Sequence, residues 1–195
     1  MFLKNIFDYI TALILLIFLV GLIICMIIIA TIDTKQLGLF TQDRIGKDGK
    51  IFKIYKIRTM CGVSKNTITT SNHRITKIGA FLRNYKLDEF PQLINILRGE
   101  MSFVGPRPDV VGYADCLLGE DRIILNVKPG ITGPAQLKYR NEEEILSYVE
   151  DPVWYNDHII WPDKVEINKK YVIERSFKKD INYLMQTLFN KKENF

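Results

Sequence analysis

The chain has 195 residues, a formal net charge of +5 and 47% hydrophobic residues, enough for one compact domain and too few for a second catalytic one. Its basic balance favours anionic partners such as phosphates, nucleic acid or an anionic lipid surface, without choosing among them. Three widely separated cysteines, Cys25, Cys61 and Cys116, exclude a disulfide framework or a zinc knuckle and fit a reducing compartment, while His73 and His158 are too few for a His-rich metal site.

Between Tyr9 and Ile32 there is no charged residue. As a helix this run reaches ~36 Å, enough for a hydrocarbon core of about 30 Å. It is longer than the apolar region of a signal peptide and ends in no small-residue cleavage site. Lys4 precedes it, and Lys35, Arg44, Lys47, Lys50, Lys53 and Lys56 follow it. A spanning helix would leave the heavier positive flank in the cytoplasm, whereas a helix entering and leaving by one face satisfies the positive-inside rule at both ends. The second arrangement is the expectation: residues 1–34 form a re-entrant membrane helix and residues 35–195 a single domain. Gly21 is the one residue mid-run that eases a bend.

LFTQDRIGKDGKIFKIYKIRTM reads as a β-hairpin turning at Lys47-Asp48-Gly49, because Asp-Gly between runs of Ile, Phe, Tyr and Thr is a turn signal. Residues 61–73 carry no apolar period and read as a mobile loop. A helix resumes near Thr76, with Ile78, Phe81, Leu82 and Tyr85 on one side and Lys77, Arg83 and Lys86 on another.

The next stretch, LDEFPQLINILRGEMSFVGPRP, sets Asp88 beside Glu89. Leu87, Phe90, Leu93 or Ile94, and Leu97 keep a helical period that Gly99 stops. Pro91 belongs in the first turn, which brings Asp88 and Glu89 to the helix start, where unpaired amides and the helix dipole favour negative charge and phosphate. An ordinary N-cap followed by a first-turn acid explains the pair equally well. Val104-Gly105-Pro106-Arg107-Pro108 then forms a stiff turn presenting one arginine, suited to a bidentate clamp on phosphate oxygens.

With KIRTM before it and KPGITGPAQ after it, this motif resembles the monotopic phosphoglycosyl transferases, the bacterial sugar transferase family, and the likeness runs through nearly the whole chain. The resemblance implies transfer of a sugar phosphate from a UDP-sugar to polyprenyl (undecaprenyl) phosphate at the cytoplasmic face of the bacterial inner membrane, with release of UMP. It implies that Asp88 is the nucleophile forming an aspartyl phosphosugar and that Glu89 binds Mg2+. Arg58, Arg83 and Arg107 become the phosphate-binding candidates by position and chemistry, and Gly130, Thr132, Gly133 and Gln136 shape a nucleotide-side loop. Members often carry a Ser-Pro helix break where this chain has Val20-Gly21.

The expected fold is therefore α+β and mostly helical, with a membrane-embedded helix, a short hairpin and interfacial helices in a cytoplasmic catalytic domain. Trp154, Tyr155 and Trp161 are expected first to pack a satellite core and second to face the interface. Inner-membrane lipid is an expected partner, nucleic acid is not for lack of any recognition motif, and a homodimer stays open. The rival readings are a membrane-anchored nucleotide-sugar glycosyltransferase releasing UDP, although no two aspartates stand two apart, and a non-enzymatic membrane-anchored adaptor.

Overall fold

A computed structural model describes residues 2–62 and 74–189. Most of the loop expected at 61–73 lies outside the described residues. Helix predominates, with three two-stranded β pairings, an α+β layout. Contacts divide the chain into two compact units, one of Asn5–Arg44 and Ile51–Met101, the other of Met1–Lys4, Ile45–Lys50 and Ser102–Phe195.

The first unit is organised on helix α1, Phe2–Thr34, which continues without interruption through Val20-Gly21. Its 33 residues correspond to ~50 Å of helix. The most apolar stretch is only 17% buried, the reverse of a soluble core helix. The buried stripe is narrow: Ile23, Met26 and Ala30, at helical spacing, join Ile57 and Leu82 in one apolar cluster, against which Leu16, Leu19, Ile27, Leu87 and Phe90 also pack. After α1 the chain folds back on the helix at Gly38. A Cβ there would lie 2.0 Å from the Ile27 carbonyl oxygen, so only glycine permits the approach.

Strands β1 (Leu39–Ile45) and β2 (Ile51–Ile57) pair as expected. The intervening turn, in the second unit, has both Asp48 and Gly49 at positive φ, the conformation that an Asp-Gly turn supplies. Short strands β3 (Met60–Cys61) and β4 (Arg74–Ile75) are antiparallel, with Met60 opposite Ile75. Helix α2 (Lys77–Asn84) is capped by Thr76, whose hydroxyl accepts from the Gly79 amide at 2.8 Å. Of its expected apolar side only Leu82 is buried; Ile78, Phe81 and Tyr85 are exposed. Helix α3 (Leu93–Leu97) is tied to β2 by Asn95, fully buried, which donates to the Lys53 carbonyl at 2.7 Å and accepts from the Tyr55 amide at 3.2 Å. Gly99, at φ 76°, ends it.

In the second unit β5 (Ser102–Val104) runs parallel to β6 (Gly130–Thr132). Helices α4 (Pro134–Lys138), α5 (Glu142–Ser147), α6 (Pro152–Tyr155), α7 (Trp161–Glu174) and α8 (Phe177–Phe189) follow. The aromatic segment divides its roles. Trp161 meets Tyr113 edge-on at 5.3 Å and packs on the Ile45, Ala114, Ile124 and Leu125 cluster, and Tyr155 is half-buried. Trp154 is exposed and stacks on His158.

The first turn of α1 is held in this unit by a buried ion pair. The Lys4 ammonium donates to Asp180 of α8 at 2.7 Å and to the Val104 carbonyl at 3.0 Å, and the Tyr171 hydroxyl donates to the same Asp180 carboxylate at 2.8 Å. Removing one partner leaves the other charge buried, a loss of about 3–5 kcal/mol. Lys4→Met is therefore expected to lower the melting temperature in detergent strongly, and Lys4→Met with Asp180→Leu to recover most of the loss.

Candidate active site

Lys86 adopts a left-handed conformation (φ 54°) immediately before the acidic pair, and Leu87–Gln92 then forms a 3₁₀ segment instead of the expected first turns of an α-helix. The cause is local. A left-handed residue breaks the run from α2, and Pro91 has no amide to donate. The pair thus lies on a tight turn gripped at Leu87 and Phe90 by the α1 cluster.

Asp88 is buried and Glu89 partly so. The Lys56 ammonium stands 3.2 Å from the Glu89 carboxylate, both side chains being largely shielded. Burial pushes the Asp88 carboxyl above its ordinary range and the neighbouring Glu89 charge adds to this, while Lys56, Arg83 and its own backbone amide pull the other way. Desolvation thus outweighs the local cations and the backbone donor in setting the direction of the shift. Lys56 was not among the expected site residues. Its signal was the lysine two residues before Arg58 on a strand that alternates buried and exposed positions, visible only once β2 is paired with the 3₁₀ turn.

Arg83 reaches the site from α2, donating from Nε to the Thr59 hydroxyl at 2.9 Å, with a second guanidinium nitrogen 3.1 Å from the Met60 sulfur. Arg58 is held differently: its Nε donates to the Leu37 carbonyl at 2.8 Å and its guanidinium covers the Phe40 ring. One buried terminal nitrogen of Arg58 has no partner. The first unit therefore brings together Asp88, Glu89, Arg83 and Lys56, with Arg58 on the segment following β2.

The remaining expected residues belong to the second unit. Arg107 is exposed between buried Pro106 and Pro108, a stiff turn as anticipated. The glycines of KPGITGPAQ serve close approach of backbone to backbone. A Cβ on Gly130 would lie 2.1 Å from the Gly105 amide nitrogen, and one on Gly133 2.4 Å from the Gly105 carbonyl oxygen. Gln136 donates to the Gly105 and Gly130 carbonyls at 3.4 Å each, its own buried carbonyl oxygen lacking a partner, and Thr132 bonds Thr187 at 2.7 Å. These residues build the support of the Arg107 turn.

Among the described residues no three His, Cys, Asp or Glu side chains cluster as a preformed metal cage. The donor chemistry nevertheless fits magnesium, which takes one or two carboxylates and completes its shell with water and substrate phosphates. Asp88 and Glu89 are such a pair.

The model of the bacterial sugar transferase family matches residues 1–193. The UDP-glucose:undecaprenyl-phosphate glucose-1-phosphate transferase of Escherichia coli (strain K12) is 33% identical over 195 residues, covering 96% of this chain and 39% of that protein. The uncharacterized sugar transferase EpsL of Bacillus subtilis (strain 168) is 38% identical over 160 residues, 81% of this chain and 79% of EpsL. The undecaprenyl-phosphate galactose phosphotransferase of Salmonella typhimurium is 32% identical over 182 residues, 83% of this chain and 38% of that protein. The chain thus spans about two fifths of the Escherichia and Salmonella relatives and about four fifths of EpsL.

A carboxyl raised by burial destabilises the fold once it ionises. Below the unfolded value of 3.8 it is protonated in both states and costs nothing; above the raised folded value the cost is complete. Asp88→Asn is expected to melt higher than the wild type at neutral pH. The gain should shrink as pH falls through the raised value and vanish below the unfolded one, as thermal melts across that window will show.

Proposed function

The chain belongs to the bacterial sugar transferase family, and we propose that it transfers a sugar phosphate from a UDP-sugar to polyprenyl phosphate through a covalent intermediate on Asp88. The observation that carries this reading is the setting of Asp88 between Leu87 and Phe90, both packed on the apolar α1 cluster, with Lys56 and Arg83 acting on its carboxylate. A lipid-linked phosphate presents its head where the hydrocarbon ends. A nucleophile fixed to a membrane helix by its two neighbours meets that head without leaving the membrane surface. Relatives named as undecaprenyl-phosphate sugar-phosphate transferases support the same reaction.

In the first step an Asp88 oxygen attacks the sugar-bearing phosphorus of the UDP-sugar. The bridging P–O bond breaks and UMP leaves with the electron pair. In the second step a phosphate oxygen of polyprenyl phosphate attacks the same phosphorus, giving polyprenyl diphosphate sugar and returning the Asp88 carboxylate. Dividing the displacement lets one site serve a soluble donor and a lipid acceptor in turn. Lys56 and Arg83 favour the ionised nucleophile against its burial and offset repulsion from the diphosphate. Mg2+, held by Glu89 with Asp88 beside it, would supply further neutralisation of that charge. Arg58 and Arg107 keep phosphate-binding roles assigned by resemblance and chemistry.

The same reading puts the site on the cytoplasmic face of the inner membrane, with both ends of α1 on that side. Lysines flank the apolar run on both sides, Lys4 before it and Lys35 after it, and the positive-inside rule favours returning both to one face.

Two measurements test the reading. Purified chain with Mg2+, a panel of UDP-sugars and polyprenyl phosphate is expected to release UMP and, without acceptor, to gain the mass of a sugar phosphate; Asp88→Asn is expected to do neither. Release of UDP, or an adduct on Asp88→Asn, would falsify the mechanism. For topology, a single cysteine at Phe2 in a cysteine-free chain is expected to resist an impermeant thiol reagent until the inner membrane is opened. Labelling in intact cells means a spanning helix.

A further inference from the structure

We propose that the outward face of α2, Ile78, Phe81 and Tyr85, is a binding track for the hydrocarbon chain of the acceptor lipid, leading from the bilayer to Asp88; this rests on the function proposed above. The three side chains stand at i, i+3 and i+7, one stripe along the helix. They are 39%, 55% and 67% exposed, and Phe81 and Tyr85 form a ring pair with centroids 4.9 Å apart. Contiguous exposed apolar side chains of this kind mark an interaction surface.

Depth comes from Leu82, which borders the stripe one turn on from Ile78. Leu82 is buried in the cluster with Ile23, Met26 and Ala30 of α1, and the outward residues of that part of α1, Leu22, Ile24, Ile28 and Ile29, are all about half exposed. Gly79 fixes the approach on the other flank: a Cβ there would lie 2.1 Å from the Thr59 carbonyl oxygen. With α1 in lipid, α2 is held against it and its stripe faces hydrocarbon.

The stripe has a polar end. Tyr85 is three residues before Asp88, and Arg83, from the same helix, is one of the two cations acting on the Asp88 carboxylate. One continuous element thus offers an apolar edge and, at its end, positive charge beside the nucleophile. That complements an amphiphile with a phosphate head and a long unsaturated tail, whose branched methyl groups pack on aromatic faces. Bulk acyl chains would satisfy the apolar edge alone and make no use of its continuity with the site.

The test needs no turnover. The full chain in nanodiscs containing phosphatidylglycerol is mixed with a polyprenyl phosphate bearing a photoreactive group on its chain, irradiated, digested and mapped. Labelling is expected within residues 77–86, reduced about tenfold by excess undecaprenyl phosphate and not by excess phosphatidate. In steady state, Phe81→Ser with Tyr85→Ser is expected to raise the KM for undecaprenyl phosphate about tenfold, leaving the KM for the UDP-sugar and the acceptor-free release of UMP unchanged. Labelling elsewhere, or labelling that a photoreactive phosphatidylglycerol reproduces and undecaprenyl phosphate does not displace, overturns the track and marks the stripe as an ordinary bilayer contact. Should no UDP-sugar be turned over while competed labelling persists, the proposed reaction fails and the lipid site stands.

Discussion

The apolar cluster joining α1 to Ile57, Leu82, Leu87 and Phe90 is the contact on which the candidate site depends. Beside the inner stripe of α1, which supplies Ile23, Met26 and Ala30, three short segments contribute one or two side chains each: the end of β2, α2 and the 3₁₀ turn. None of these short segments buries enough surface to be stable alone. Packed together on a long helix they fix the acidic pair, because the two residues flanking Asp88 and Glu89 are themselves cluster members. Helix α1, long and apolar enough to cross a membrane, is thus a structural part of the candidate site.

Fixing Asp88 this way has an electrostatic consequence. The packing that immobilises the carboxylate also removes water from it, and Glu89 adds a like charge next door. Lys56 and Arg83 answer both effects in part. Under the proposed mechanism this setting makes Asp88 a stronger attacking group than a fully hydrated carboxylate, and the cost appears as lost stability. Lys56 serves twice, since it also pairs with Glu89.

Much of this was legible in the sequence, and the limits have physical causes. The long apolar run, the Asp-Gly turn, the Thr76 start of α2 and the Gly99 stop rest on local rules, and the structure follows them. The Lys4–Asp180 pair joins residues 176 apart, and no local pattern announces it. The apolar period of α2 located the helix without separating its buried Leu82 from the exposed Ile78, Phe81 and Tyr85, because periodicity alone does not tell which apolar residues the fold covers. The glycines of KPGITGPAQ read as room for a ligand; the space is taken by the Gly105 backbone. Trp154 and Trp161 looked alike in sequence and differ in what they meet: Trp161, at the start of α7, packs on the Ile45, Ala114, Ile124 and Leu125 cluster, whereas Trp154 is exposed.

The 3₁₀ form of the turn is itself informative. With three residues per turn, positions i and i+3 eclipse, so Leu87 and Phe90 align on one side, and Asp88 and Glu89 diverge from it in two different directions. An α-helical turn with an ordinary residue at position 91 would spread the four side chains over a 3.6-residue period and bring the next apolar residue nearer the acids. The tighter winding keeps the grip purely apolar and separates the two carboxylates, one drawn toward Lys56 and the other held back under the packing. Pro91, buried and without an amide, suits such a turn because it leaves no donor to satisfy in the apolar wall. Adjacent acids of nearly identical chemistry thereby acquire different environments, the condition that the proposed division into nucleophile and metal ligand requires.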